Sequence, residues 1–221
     1  IRLVLAKLIY EQDSVVGGKF TSSKGGKIKI TVNSLKNEAG IDIDDVNLTW
    51  TQAKNFVDST GAPTTFSQKY PLTVKCLEDG KVWIGGYSGE LLWSDDCQVW
   101  HLLDGTSRGD GWTGKIHDIS YNNGKYVATT RDKSLLCSSD GNTWSLVTSS
   151  VLDGYTWSTT YAKDKFWVGM SGGYIAYSTD GFDWYKSENK LNTSSYIKDI
   201  IYGNGQFIAY ADSYMYYSPD G

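Results

Sequence analysis

Polar and apolar residues alternate at period two through Lys27-Ile28-Lys29-Ile30-Thr31-Val32, which predicts a half-buried strand. Ahead of it, Ile1, Val4, Leu5, Leu8 and Ile9 fall at helical spacing with Arg2, Lys7 and Glu11 off the stripe, so a short amphipathic helix is expected over residues 1–16. Ile41, Ile43 and Val46-Asn47-Leu48-Thr49-Trp50 suggest one or two further strands. From Leu72 the pattern becomes regular. Short apolar runs such as Tyr126-Val127-Ala128-Thr129, Leu135-Leu136-Cys137-Ser138 and Trp144-Ser145-Leu146-Val147 are separated by Gly, Asn and Asp, the spelling of strands joined by tight turns.

These runs belong to a repeat. Ser138-Ser139-Asp140-Gly141-Asn142-Thr143-Trp144 returns as Ser178-Thr179-Asp180-Gly181-Phe182-Asp183-Trp184 and, cut short, as Ser218-Pro219-Asp220-Gly221. A worn copy stands at Ser94-Asp95-Asp96-Cys97-Gln98-Val99-Trp100. The leading serines lie 44, 40 and 40 residues apart, a period that marks a stacked or radial array. With four short antiparallel strands per repeat, each repeat makes one propeller blade. The reading is therefore all-β: a β-propeller over residues 71–221 with about three and a half blades, at 72–103, 116–148, 157–187 and from Ile197 to Gly221. Residues 1–70 are a lead-in, attachment or stem region. An open arc leaves unpaired blade faces, so the expectation is that the chain continues past Gly221, that residues 20–60 supply strands, or that neighbouring subunits of a homo-oligomer, such as a trimer, cover the gap.

The repeated turn explains itself mechanically. An Asp carboxylate accepts backbone N–H groups across its own turn, Ser does so more weakly, Gly relieves the backbone, and Trp packs the turn on the blade. Ser94, Asp96, Trp100, Ser138, Asp140, Gly141, Trp144, Ser178, Asp180, Gly181, Trp184, Ser218 and Asp220 are accordingly read as structural.

Composition narrows the function more than it defines it. The 221 residues are 40% hydrophobic and 14% aromatic, and a net charge of -4 offers no basic footprint for nucleic acid or an anionic membrane. No apolar run reaches the length of a membrane span. Cys76, Cys97 and Cys137 are odd in number and lack metal-ligand spacing, so they read as buried, unreactive thiols; neither a metal nor a cofactor is expected. His117, one of only two histidines, precedes Asp118 in a predicted inner strand with no nucleophile at recognisable spacing.

The repeated turns resemble those of the Asp-box, or bacterial neuraminidase repeat, family of β-propellers, over about residues 72–221. This chain's form is one residue shorter between Asp and Trp than the form usual in sialidases and is similar to that of bacterial and phage propellers. The resemblance implies a peripheral, structural box, not a catalytic one. A sialidase needs an arginine cluster, and Arg2, Arg108 and Arg131 are the only arginines here. The expectation is a non-catalytic binding propeller in a phage tail or receptor-binding protein, virion-borne or extracellular, whose partners are a host cell-surface glycan or other virion proteins. The alternatives are a sialidase-like hydrolase fragment and a protein-binding scaffold. The rim carrying the inter-blade connections and the loops between second and third strands holds the candidate ligand residues Arg108, Asp110, Trp112, Tyr87, Arg131, Tyr155 and Tyr196. Trp and Tyr beside Asp and Arg supply stacking platforms with directional hydrogen bonds, as a sugar requires.

Overall fold

The computed structural model describes residues 19–23, 27–31, 52–66 and 70–220. By its contacts the chain divides into two compact units, Ile1–Gln52 and Ala53–Gly221. In the first, β1 (Lys19–Ser23) and β2 (Lys27–Thr31) form an antiparallel hairpin in which Lys19 faces Thr31. The helix expected over 1–16 and the strands expected at 41–50 lie outside the described residues.

In the second unit the strands of each repeat pair in sequence order. The first sheet holds β3 (Asn55–Val57), β4 (Pro63–Thr64), β5 (Pro71–Cys76), β6 (Val82–Gly86), β7 (Leu91–Ser94) and β8 (Val99–Leu103), in the order β4-β3-β8-β7-β6-β5. After a four-residue helix, α1 (Gly105–Arg108), come β9 (Asp118–Asn122), β10 (Lys125–Thr129), β11 (Ser134–Ser138) and β12 (Trp144–Thr148). The third sheet is β13 (Thr156–Ala162), β14 (Lys165–Met170), β15 (Ile175–Ser178) and β16 (Tyr185–Lys186). The last has three strands, β17 (Ile197–Gly203), β18 (Gln206–Ala211) and β19 (Tyr214–Ser218). The result is a partial β-propeller of antiparallel blades. One addition has no local signal: β3 pairs in parallel with the outer strand β8, Phe56 against Trp100, so Asn55–Val57 widens blade one outward, and among the described residues no strand ahead of 71 pairs with blade four.

Alternation within the strands decides the packing. Tyr126 and Ala128 face one side of blade two and join Trp83, Leu91 and Leu103 of blade one in a buried cluster. Val127 between them faces the other side, with Phe166, Val168 and Met170 of blade three. Ile197, Ile200 and Phe207 of blade four then close on Trp167 and Ile175. Blades two and three are thus buried on both faces, whereas β18 reads exposed-buried in strict alternation because only its blade-three side is covered. A side chain fully buried this way contributes roughly 1.5–3 kcal/mol, which is why apolar runs, not amphipathic ones, mark the middle blades.

The repeated turns lock each blade's rim. Ser138 Oγ accepts the Gly141 N–H at 2.8 Å and donates to the Thr143 carbonyl at 2.6 Å. Asp140 Oδ1 accepts the amides of Asn142 and Thr143 at 2.8 and 2.7 Å, and Trp144 Nε1 donates to the Gly141 carbonyl at 3.0 Å. Ser178, Asp180, Gly181 and Trp184 repeat this network. The worn copy keeps the Ser and Asp bonds but not the indole's: Asp96 holds the Gln98 and Val99 amides and Ser94 the Cys97 amide, while Trp100 Nε1 is buried without a partner among the described residues. Cys97 takes the glycine's place at φ 58, against 78 for Gly141 and 87 for Gly181. In the last copy Ser218 Oγ donates to Asp220 Oδ1 at 2.8 Å. The expectation of buried thiols needs correcting, since Cys76 and Cys97 are exposed and only Cys137 is buried. Cys76 lies on the exposed face of β5, opposite the face whose Lys75 meets Asp118 of blade two, and Cys97 lies on a turn tip.

Candidate functional site

The register of the inner strands places one set of residues on a single rim. Thr73, Asp118, Ser158 and Asp199 occupy equivalent positions, paired with Gly85, Thr129, Gly169 and Tyr210 of the neighbouring strands. Three residues before each stand Tyr70, Lys115, Tyr155 and Tyr196, one per blade. The loops between second and third strands reach the same rim, where Tyr87 N–H donates to the Tyr70 carbonyl and Ser171 N–H to the Tyr155 carbonyl, both at 2.9 Å. Backbone bonds also join successive blades, Ile116 N–H to the Gly86 carbonyl at 2.9 Å and Gly173 N–H to the Ser195 carbonyl at 3.2 Å. In blade two Arg131 N–H donates to Thr156 of blade three at 3.0 Å, and Thr156 N–H returns a bond to the Asp132 carbonyl. That loop is stitched across the junction, with the Arg131 guanidinium 4.8 Å above the Trp157 ring.

The stitched junction borders a cleft of about 470 Å³ lined by Trp112, Lys115, Arg131, Asp132, Tyr155 and Tyr196. Its aromatic wall is continuous: Tyr155 lies 6.4 Å from Tyr196, which lies 4.6 Å from Trp157. Trp157 in turn covers His117, ring centroids 4.5 Å apart. Desolvation, reinforced by the charges of Arg131 and Lys115, lowers the His117 pKa from 6.5 to about 4, so the imidazole is neutral at pH 7. Its Nε2 is buried without a hydrogen-bond partner among the described residues. Closer to the axis, Asp118 accepts the Ile119 and Thr159 amides and pairs with Lys75 at 3.1 Å. Burial raises its pKa against the pull of Lys75. Together with the Ser120–Thr159 hydroxyl bond at 2.8 Å, it joins the inner strands of blades two and three.

Of the candidate residues, Trp112, Arg131, Tyr155 and Tyr196 come together in this cleft. Tyr87 is 47% exposed and stands beside it, with the Lys115 ammonium 4.2 Å from its ring. Arg108 and Asp110 do not belong to an exposed set. Arg108 is 1% exposed; its Nε donates to Asp110 at 2.8 Å and Nη1 reaches the Gly89 and Leu103 carbonyls. Both side chains are fully buried, and the pair braces the long loop against blade one. The loop turns inward because Asp104 and Ser107 cap α1 reciprocally and Gly109 ends it at φ 88, which aims Arg108 at the blade. Trp112 is half turned inward as well, packed against the first core cluster while lining the cleft. The residues missed by sequence reasoning are Lys115, Trp157 and the position of His117. Counting three residues back from each inner strand would have found Lys115.

A second cleft, of about 630 Å³, lies one blade on and is lined by Tyr174, Lys190, Asn192, Thr193, Asp212 and Tyr214. Thr193 Oγ1 donates to Asp212 Oδ2 there at 2.8 Å. Among the described residues no cluster of three or more His, Cys, Asp or Glu side chains could hold a metal ion, and no helix is long and apolar enough to cross a membrane.

No family model matches the sequence, and no curated protein matches it. Solved structures do. Virginiamycin B lyase from Staphylococcus aureus superposes with TM-score 0.55 at 15% identity over 93% of this chain and 71% of its own. The fold is that of a β-propeller. The computationally designed Ika4 protein matches with TM-score 0.54 at 11% identity, over 76% of this chain and 98% of the designed one. YCF48 from Cyanidioschyzon merolae matches with 0.52 at 15% identity, over 71% of this chain and 57% of its own, so this propeller spans little more than half of that protein. Likeness at these identities carries the architecture, and a lyase and proteins of other roles share it.

Proposed function

We propose that this chain is a non-catalytic binding propeller that recognises a glycan at the junction of blades two and three. We further propose that it serves, as a homo-oligomer, in a phage tail or receptor-binding protein engaging the host cell surface. The observation that carries the reading is the cleft itself: Tyr155, Tyr196 and Trp112 present ring surface beside Arg131 and Asp132, a stacking wall next to hydrogen-bonding groups of both senses. The turns most similar to Asp-boxes do structural work, with Ser138, Asp140, Ser178 and Asp180 each bonded to backbone groups of their own turn. Of the three arginines Arg108 is committed to Asp110 and Arg2 lies outside the described residues, which leaves Arg131 as the arginine at the cleft. The phage context rests on the likeness of the compact turn spelling to that of phage propellers.

A glycan array carrying bacterial cell-surface polysaccharides tests the binding. The parent should bind a subset of glycans, and the Tyr155→Ala/Tyr196→Ala double variant should lose them with unchanged melting. Retained binding by the variant contradicts the site, and turnover of fluorogenic sialosides by the parent contradicts the non-catalytic reading. Pre-incubating host cells with the chain should block phage adsorption, and unaltered adsorption contradicts the tail assignment. A protein-binding scaffold is the second reading. It is favoured by the uncovered face of blade four, where Ile201, Tyr210 and Tyr217 are 47%, 43% and 78% exposed, and by the fold shared with YCF48 bound to D1 peptide, TM-score 0.51.

A further inference from the structure

We infer that the cleft between blades two and three takes an anionic sugar unit of a linear polymer, its carboxylate or phosphate held between Lys115 and Arg131. The inference rests on reading this cleft as the ligand site and names the ligand's chemical class. Lys115 and Arg131 line one cleft, and neither pairs with a carboxylate among the described residues, whereas Lys75, Arg108 and Lys186 each have one. Both heads are nevertheless held in place. Lys115 Nζ sits 4.2 Å from the Tyr87 ring centroid and Arg131 Cζ 4.8 Å from that of Trp157. A cation placed on an aromatic face loses little further freedom when an anion arrives, and it keeps donors free for it.

The register makes the placement specific. At the rim position that is tyrosine in blades one, three and four, blade two alone carries a cation, Lys115, beside the cleft that Arg131 overhangs. Both charges bear on His117, and that imidazole stays neutral, so it adds no competing donor charge at pH 7. Aromatic rings flank the charged pair on either side. Tyr70 and Tyr87, 6.2 Å apart, stand on the blade-one side, and Trp157, Tyr196 and Tyr155 on the blade-three side. An anionic group with sugar rings before and after it in a chain matches that order of platforms. Asp132, whose Oδ1 accepts the Lys133 N–H at 2.8 Å, is the carboxylate of the cleft. It favours a ligand that brings hydroxyl donors over a bare inorganic anion.

Calorimetric titration of the 221-residue chain with three polymers of matched length tests this: oligogalacturonate, glycerol-phosphate oligomers and neutral malto-oligosaccharide. The Trp112 and Trp157 indole resonances are followed in parallel. One anionic arm, which identifies carboxylate or phosphodiester as the source, should bind at least about tenfold more tightly than the neutral one and weaken as salt is raised. It should shift both indoles and lose about tenfold in affinity in Lys115→Gln and again in Arg131→Gln, each melting like the parent. Equal binding of the neutral polymer, or unchanged affinity in Arg131→Gln, overturns the inference. If neutral binding still depends on Tyr155 and Tyr196, the cleft stands as the ligand site and only its anion preference falls. If no polymer moves either indole, the inference falls; if the Tyr155→Ala/Tyr196→Ala variant also keeps its array binding, the site reading falls with it.

Discussion

Removing the turn acceptors one at a time should rank them by burial, not by charge. In Asp140→Ala the amides of Asn142 and Thr143 lose their acceptor, but both lie at an exposed edge where water can replace it. Burial works against the Asp140 carboxylate, yet the Thr143 and Asn142 amides and the Ser138 hydroxyl bring its pKa below the ordinary value, so those bonds form to the charged form. With water as substitute the loss is about 1 kcal/mol. In Ser138→Ala the orphaned Gly141 N–H is buried, and the Thr143 carbonyl also loses its donor. Ser138 itself is 1% exposed, and a buried unsatisfied donor raises the cost to about 2–3 kcal/mol. For a chain of this size each kcal/mol lowers Tm by roughly 2–4 °C. Thermal melts of the two variants, with urea midpoints as a second measure, should therefore put Ser138→Ala below Asp140→Ala and both below the parent, with glycan binding intact in each. An Asp140→Ala variant that melts like the parent but no longer binds would refute the structural account of these turns.

Arg108→Ala should cost about 3–5 kcal/mol in urea unfolding, because it strands the buried Asp110 carboxylate without its partner; a variant within error of the parent would contradict the brace. Cys97→Gly should raise the urea midpoint by the equivalent of about 0.5–1 kcal/mol, since a side chain is removed from a left-handed turn position that two sister turns give to glycine; a lower midpoint would contradict it. The His117 pKa lies below its unfolded value, so the folded state resists protonation: its contribution is complete above pH 6.5 and is lost as pH falls from 6.5 to about 4. The full shift would be worth about 3 kcal/mol, and the partial exposure of His117 screens this to about 1–2. His117→Gln should flatten the difference in urea midpoint between pH 7 and pH 5. Asp118, raised by burial, acts in the opposite sense in both proteins and cancels in the comparison; equal pH slopes would refute the assignment.

Where the sequence was legible, one short-range cause acted alone. The turn spelling fixes its own hydrogen bonds within seven residues, so Ser138–Trp144 and Ser178–Trp184 could be read as turns before any fold was known. Continuous apolar runs such as Tyr126–Ala128 announced burial on both faces, and both faces are buried. What could not be read depends on distant partners. The polar, Gly-rich stretch 104–112 has the composition of a solvated loop, yet a single turn of helix directs Arg108 toward carbonyls of blade one, nineteen residues away at Gly89. The parallel pairing of Asn55–Val57 with Val99–Leu103 leaves no local periodicity to detect. At the cleft the aromatic and arginine candidates were visible as residue types, but Lys115 and Trp157 enter only through the strand register. Bulges at Thr73, Ser158 and Asp199 shift that register and obscure the count.

The most direct test of the glycan site is a crystal structure of the chain with the strongest glycan from the array. The account predicts a sugar ring stacked on Tyr155 or Tyr196, with Arg131 within hydrogen-bond distance of the same unit. A glycan bound instead beside Asp118 at the axis, or on the uncovered face of β17 and β18, would contradict it.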